Sequence, residues 1–361
     1  MSPRFPPTGN IVNPSCRKLL RRHPRVRQVM LSAAVASACG TAGAQSAVSV
    51  SGAVDAGIAY VKTDSTSQMQ LATGSIAASS LVFQGTENLG RGYNAFFLLR
   101  TLFFTDTGEV SANRLYGSES KVGLSGPQGR IEAGRLFNPT HQALVFKSPS
   151  QSNFAGAFNM AIGGYQPYWN DSVRYTTPNL YGATFAVQHS FGDTGVSGNN
   201  NAAGTAYAIN YDLGNLSLSG IYETVSTVAL PAVNYRAKRS TVMGVYDFGF
   251  MKAHAGFFNE NHGGFGAPLE FNLSILGVSK VVTGALRVTA EYGHKDFKNS
   301  SNQANYVGLA AFYSLSKRTT LYSEINLINN GGAAQQGVYR GIVPRPGENT
   351  SGYMVGMRHT F

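Results

Sequence analysis

Charge is scarce in this chain. Asp, Glu, Lys and Arg make up 13% of its 361 residues, about half the share usual in soluble proteins. Long apolar runs are also missing. No stretch approaches the roughly twenty apolar residues that a membrane-spanning helix needs. Cysteine is confined to Cys16 and Cys39, so the chain beyond them has no disulfide and no thiol nucleophile. No convincing amphipathic helix follows residue 44. A chain poor in both charge and apolar runs suits β-structure in which each strand turns one face away from water.

The formal charge of +11 is concentrated at the start. Residues 1–44 carry seven basic residues, Arg4, Arg17, Lys18, Arg21, Arg22, Arg25 and Arg27, and no acid. An Ala-rich apolar run follows and ends in Ala42-Gly43-Ala44. This order of regions predicts a secretory signal peptide, residues 1–44, cleaved after Ala44. The remaining domain, residues 45–361, keeps 22 basic and 18 acidic residues, a net charge near +4. Its modest excess of positive charge gives no reason to expect nucleic acid as a partner.

From Ala47 onward, period-2 alternation recurs in segments such as "AVSVSGAVDAGIAYV", "LSLSGIYETV" and "NYVGLAAFYSL". Seven short turn signals separate these segments: "NLGRG", "GPQG", "PNLYG", "DLGN", "DFG", "VTG" and "LSKRT". The later ones recur about every 34 residues, room for two strands and one longer loop. Seven turns join eight hairpins. The expectation is all-β: a 16-stranded antiparallel transmembrane β-barrel, even-numbered and wide enough for water. The last segment alternates up to Phe361. Closure accounts for this, because a last strand that pairs with the first must stay ordered to its end.

The interval from "GPQG" to "PNLYG" is about 20 residues longer than the others. Its surplus is rich in aromatics, and residues 136–170 contain no Asp or Glu. A loop this apolar must pack against something, and the barrel interior is the available place. The pattern therefore predicts a long third loop folded into the pore, carrying Phe146, Phe154, Phe158, Tyr165, Tyr168 and Trp169 as wall anchors, with a slide for substrate as the alternative reading, and Lys147 and His141 among them. Tyr60, Phe191, Tyr246, Tyr292, Tyr313 and Phe361 lie near strand ends, where interfacial aromatics sit.

Several blocks resemble the general diffusion porins of Gram-negative outer membranes, β-proteobacterial type. They are "VSGAVDAGIAYV" (50–61), "GTENLGRGYNAFFLL" (85–99), "YGSESKVGLSGPQGRIEAGRLFNP" (116–139), "DSVRYTTPNLYG" (171–182), "LSKRTTLY" (315–322) and "VGMRHTF" (355–361). The resemblance spans nearly the whole chain after residue 44. It implies an outer-membrane channel for passive diffusion of ions and small hydrophilic solutes. It also implies a homotrimer, surrounded by outer-membrane lipid and lipopolysaccharide and inserted by the barrel-assembly machinery. The family's terminal signal for that machinery maps onto Tyr353, Val355, Met357, His359 and Phe361. Its constriction arginine maps onto Arg135. The chain departs from the family pattern at Ser80, Gln84 and Ser118, where arginines are usual, and at Arg100, where an acid is usual.

Alternation places Arg174 with Ser172 and Thr176 on an inward face, and Arg100 opposite Leu99 and Phe97. With Arg135 and Lys147 these make the candidate constriction and selectivity residues. With no acid in the loop, such a neck is expected to favour anions weakly, unless strand acids such as Glu132, Glu324, Asp171 or Glu119 restore the balance. Lys252, Arg287 and Arg358 read as general lumen charges.

A substrate-selective channel is the main alternative, and a structural or adhesive barrel a lesser one. Catalysis is not expected. The histidines beyond residue 44, His141, His189, His254, His262, His294 and His359, sit in no nucleophile motif, although "EYGHKD" puts His294 and Asp296 on one face. No metal-ligand spacing and no cofactor motif is present.

Overall fold

The structure is a computed structural model that describes residues 47–161, 165–192, 203–229, 233–263, 270–338 and 341–361. Residues 1–44, where a signal peptide is expected, and most of the Gly/Asn-rich stretch 192–204 lie outside these residues.

Seventeen strands follow in chain order: β1 (Ala47–Thr63), β2 (Ser67–Thr73), β3 (Ser79–Gly90), β4 (Tyr93–Phe103), β5 (Glu119–Gly126), β6 (Gly129–Phe137), β7 (Tyr168–Thr176), β8 (Ala183–Ser190), β9 (Gly204–Leu213), β10 (Leu216–Ala229), β11 (Val233–Asp247), β12 (Lys252–Gly263), β13 (Phe271–Val281), β14 (Leu286–Phe297), β15 (Gln303–Ser314), β16 (Thr319–Gly331) and β17 (Thr350–Thr360). From β3 to β17 each strand pairs antiparallel with the next. β17 then pairs with β1, from Ala53↔Thr360 to Thr63↔Thr350. The other edge of β1 is shared, with β3 on residues 47–53 and β2 on residues 56–62. β2 and β3 are thus two halves of one stave, and the seventeen strands close a sixteen-stave cylinder.

All seven expected turns join consecutive strands. The first shows why its residues are suited to it. Gly90, Arg91 and Gly92 all have positive φ, and two of the three are glycine, for which that conformation costs nothing. The chain end is held as well. Gly52 N–H donates to the Phe361 carbonyl and Phe361 N–H to the Gly52 carbonyl, both at 3.1 Å. Tyr353, Val355, Met357, His359 and Phe361 all fall on the exposed face of that strand and its end.

Alternation decides what meets lipid. On β16, Tyr322, Glu324, Asn326, Ile328 and Asn330 are buried inside the cylinder, while Leu321 and Leu327 are exposed on its outside. A transmembrane barrel needs this inverted pattern, apolar outward and polar inward. The six aromatics expected at the interfaces are likewise exposed. Among the described residues no helix is long and apolar enough to cross a membrane; the strands do the crossing.

Three features differ from the sequence reading. The second stave is broken at residues 74–78, because Ser75 N–H and Ile76 N–H turn inward to the Asp55 carboxylate at 3.1 and 3.2 Å. A short helix, α1 (Pro139–Phe146), occurs where none was expected. Asn138 caps it by accepting from Thr140 N–H at 2.6 Å, and Pro139 opens it. Its signal was a cap followed by proline, without amphipathic periodicity. Finally, Tyr168 and Trp169 are not loop residues but the first two residues of β7.

Candidate functional site

The segment between β6 and β7 is tied to strands distributed around the cylinder. Thr140 Oγ1 donates to Glu223 on β10 at 2.9 Å, and the Lys147 ammonium reaches Ser217 on the same strand. His254 Nδ1 on β12 meets the Lys147 carbonyl at 2.8 Å. On β14, Arg287 donates to the Pro149 carbonyl at 3.0 Å, while Glu291 accepts from Ser148 Oγ at 2.8 Å and Ala157 N–H at 2.7 Å. Asn326 on β16 donates to the Phe154 carbonyl at 2.7 Å, and Lys295 on β14 to that of Met160 at 2.6 Å. Asn153 N–H and Ser152 Oγ bond the Ser75 carbonyl in the broken stave.

These tethers explain the missing acids. The wall presents buried carboxylates, Glu223 and Glu291, and the segment answers them with hydroxyls and N–H groups. An Asp or Glu there would bring like charges together away from water.

Aromatic residues complete the docking. Phe154, Phe158, Tyr165 and Trp169 are buried. Tyr168 packs edge-on against Phe137 with centroids 4.8 Å apart. Phe154 joins Ala59, Phe312, Tyr322 and Met354 in one apolar cluster. Phe158 and Tyr165 join Phe258, Phe271 and Tyr306 in another. His141 stacks on Phe137 at 5.2 Å and shares a 2.8 Å hydrogen bond with the Tyr165 hydroxyl. Burial pushes its imidazole down to about 4. Phe146 is the exception to the anchor reading, since 61% of it is exposed.

The cations divide into two groups. A cavity of about 700 Å³ lies against α1 and strands β5 to β12. Lys121, Arg130, Lys147, Arg174 and Lys252 line it, against the single carboxylate of Glu132, so five cations less one acid leave +4. Arg174 and Lys147 therefore stand where the sequence reading put charge. Lys121 and Arg130 line the same cavity but were not named in the sequence reading, and Lys252 was read only as a general lumen charge. Period 2 would have found the first two, since Glu119 and Lys121 share a face, as do Arg130 and Glu132.

Arg100 and Arg135 do not line this cavity. Arg100 forms an ion pair with Glu119 at 3.1 Å. Arg135 sits at a β-bulge between Gly134 and Leu136. Gly134 has φ +130°, and a Cβ there would strike the Ser120 carbonyl, so only glycine permits the distortion. Arg135 donates to the Gly117 carbonyl at 2.6 Å and to the Asn170 amide oxygen, which also accepts from Arg114 at 3.4 Å. Its partners are neutral, and it has no ion pair with a described residue.

Strand acids do offset part of the charge. Glu119 and Glu132 between them bind Arg100, Lys121, Arg130 and Arg174, so four cations less two acids leave +2. Arg287 and Arg358 are not free lumen charges. Arg287 holds the inner segment by two carbonyls, and Arg358 donates to Ala77 O at 2.7 Å with Asp55 3.6 Å away.

The described histidine side chains bond Tyr165, Thr205, Lys147 and Ser279, Asn305 and Thr319, and none completes a Ser-His-acid set. Among the described residues no group of three metal-binding side chains converges.

A closed cylinder, apolar outside and charged inside, has solved counterparts. The model of the Gram-negative porin family matches residues 31–333. The chain belongs to this family. The porin is 31% identical over 358 residues to outer membrane porin protein 32 of Delftia acidovorans, a match covering 93% of this chain and all of the relative. An outer membrane porin protein of Bordetella pertussis is 25% identical, covering 82% of this chain and 93% of its own. The solved structure of an anion-selective porin from Comamonas acidovorans superposes with a TM-score of 0.79 at 28% identity, over 88% of this chain and 100% of that one. The protein is an outer-membrane porin, a passive water-filled channel for ions and small hydrophilic solutes, and not an enzyme.

Proposed function

We propose that residues 138–161 form the narrowest part of the channel and that the charges beside them make it prefer anions. The observation that carries this is the cavity lining, five cations to one carboxylate. Walls of low dielectric focus such a field on the passing ion. Arg174 is largely neutralised by Glu132 and Arg100 by Glu119. The working charge is then the excess left on Lys121, Arg130, Lys147 and Lys252. Lys121 and Arg130 share Glu119 and Glu132 with two other cations, while Lys252 meets the half-exposed Asp247 at 3.3 Å and Lys147 the exposed Asp212 at 3.9 Å. Arg135 adds its field through neutral partners. The anion-selective relative at 28% identity supports the same direction. The zero-current potential across a potassium chloride gradient tests it. Chloride should pass more readily than potassium, and a cation preference would refute the reading.

The same proposal includes a homotrimer, delivery through cleavage of residues 1–44, and insertion by the barrel-assembly machinery into lipid and lipopolysaccharide. Its basis is family membership and the ordered, aromatic chain end. Cross-linking in mild detergent should stop at three copies, and N-terminal sequencing of the membrane form should begin near Gln45.

A further inference from the structure

The interior of a membrane barrel is ordinarily polar. Here three adjoining inward positions are not. Ala186 on β8, Ala208 on β9 and Ile221 on β10 are direct register partners, and all three line the cationic cavity. Val245 on β11, the register partner of Ser217, lines the same cavity four residues further along the wall. Phe146, the last residue of α1, faces the same cavity with 61% of its surface exposed, whereas Phe154, Phe158 and Tyr165 are buried. Cations flank these positions on both sides, Arg130 and Arg174 from β6 and β7, and Lys147 and Lys252 from the end of α1 and from β12.

Chloride needs only the cations. Ala208 and Ile221 are buried in one apolar cluster with Ala143 and Leu144 of α1, whereas Ala186 and Val245 are half-buried and the Phe146 ring is exposed. An apolar ring left in channel water is unfavourably hydrated, and that cost falls when another apolar surface covers it. The cavity volume is within the range of small-molecule sites. We infer that this cavity is a binding station for organic monoanions that carry an apolar ring next to the charge, such as aromatic carboxylates. The ring lies against Phe146, with Ala186 and Val245 as the half-buried apolar wall of the cavity, and the carboxylate meets a flanking ammonium or guanidinium. This rests on the anion-passing reading above and names the solute class that the reading leaves open.

The test uses the full chain in planar bilayers carrying chloride current, with benzoate, acetate or benzyl alcohol added. Benzoate should block the current saturably, at a half-blocking concentration about tenfold below that of acetate, equivalent to about 1.4 kcal/mol. Benzyl alcohol should not block. Phe146→Ser should bring benzoate close to acetate. Val245→Ser, which leaves the helix intact, should do so in part. Equal block by benzoate and acetate in the wild type would overturn the inference, as would equal block by benzyl alcohol. Retention of the tenfold difference in both variants would also overturn it. The potassium chloride zero-current potential of the same channels separates the two levels. If it still favours chloride, only the solute class has failed; if it favours potassium, the underlying reading has failed.

Discussion

Arg174 on β7 and Glu132 on β6 are register partners, joined through Nη2 at 2.6 Å and Nε at 2.9 Å to the same carboxylate oxygen. The other oxygen of Glu132 takes Arg130 at 2.9 Å and Lys121 at 3.1 Å. One acid thus holds three cations in place on the channel wall and cancels only one of their charges.

Glu132→Gln removes that cancellation. The zero-current potential should move further toward chloride. Breaking a buried pair by removing one partner typically costs about 3–5 kcal/mol, so the variant should also lose its heat-modifiable folded form at lower temperature. An unchanged potential would mean that the cavity is not on the conduction path.

Arg135 has neutral partners, so its charge acts uncancelled. Arg135→Glu should reduce the preference for chloride. Arg318→Glu, on the exposed turn between β15 and β16, should do less. Arg287 is unsuitable as the control because it holds the inner segment. The wild-type preference should shrink in concentrated salt, as the Debye length falls from about 10 Å at 0.1 M to about 3 Å at 1 M. Equal effects of the two variants would place selectivity away from Arg135.

Glu291 receives both Ser148 and Ala157. Glu291→Ala leaves these buried donors unpaired, at about 1–3 kcal/mol each. The tethered segment should then leave its seat more often, seen as higher and noisier single-channel conductance. A variant as quiet as the wild type would show that the aromatic anchors alone hold it.

His141 supplies a pH dependence. Its folded value, about 4, lies below the ordinary 6.5, so the docked segment favours the neutral imidazole. Docking is fully stable above pH 6.5, weakens as pH falls from there, and stops losing stability below about 4. Channel noise should rise across that window, and His141→Phe should flatten the response. A response centred above pH 7 would point to another group.

Phe361 pairs through its backbone with Gly52 while its ring is exposed on the outside. Phe361→Asp keeps the backbone bonds and places a charge where lipid or the assembly machinery meets the barrel. The amount of folded, heat-modifiable protein should drop. Normal levels would refute a role for the terminal ring in assembly.

Stave number was legible because turns are local. "NLGRG" and "DLGN" carry their conformational requirement in their own residues, and period 2 then says which side chains share a face. The inward position of Arg174 was readable for that reason. The short helix was partly visible in Asn138-Pro139. The break in the second stave was not, because its cause, Asp55, lies about twenty residues earlier and receives the Ser75 and Ile76 N–H groups across the sheet.

By itself the sequence determined the barrel, its closure at Phe361 and the absence of acids between β6 and β7. Each follows from local periodicity and composition, which membrane and water read residue by residue. Only the tertiary structure decided which cations are paired and which share a cavity. Arg100 and Arg174 find Glu119 and Glu132 across a strand pair, Arg135 is turned aside by the bulge at Gly134, and Lys121, Arg130 and Lys252 converge on one cavity from three strands. Charge compensation acts over a few ångströms, and register rather than sequence distance sets those neighbours.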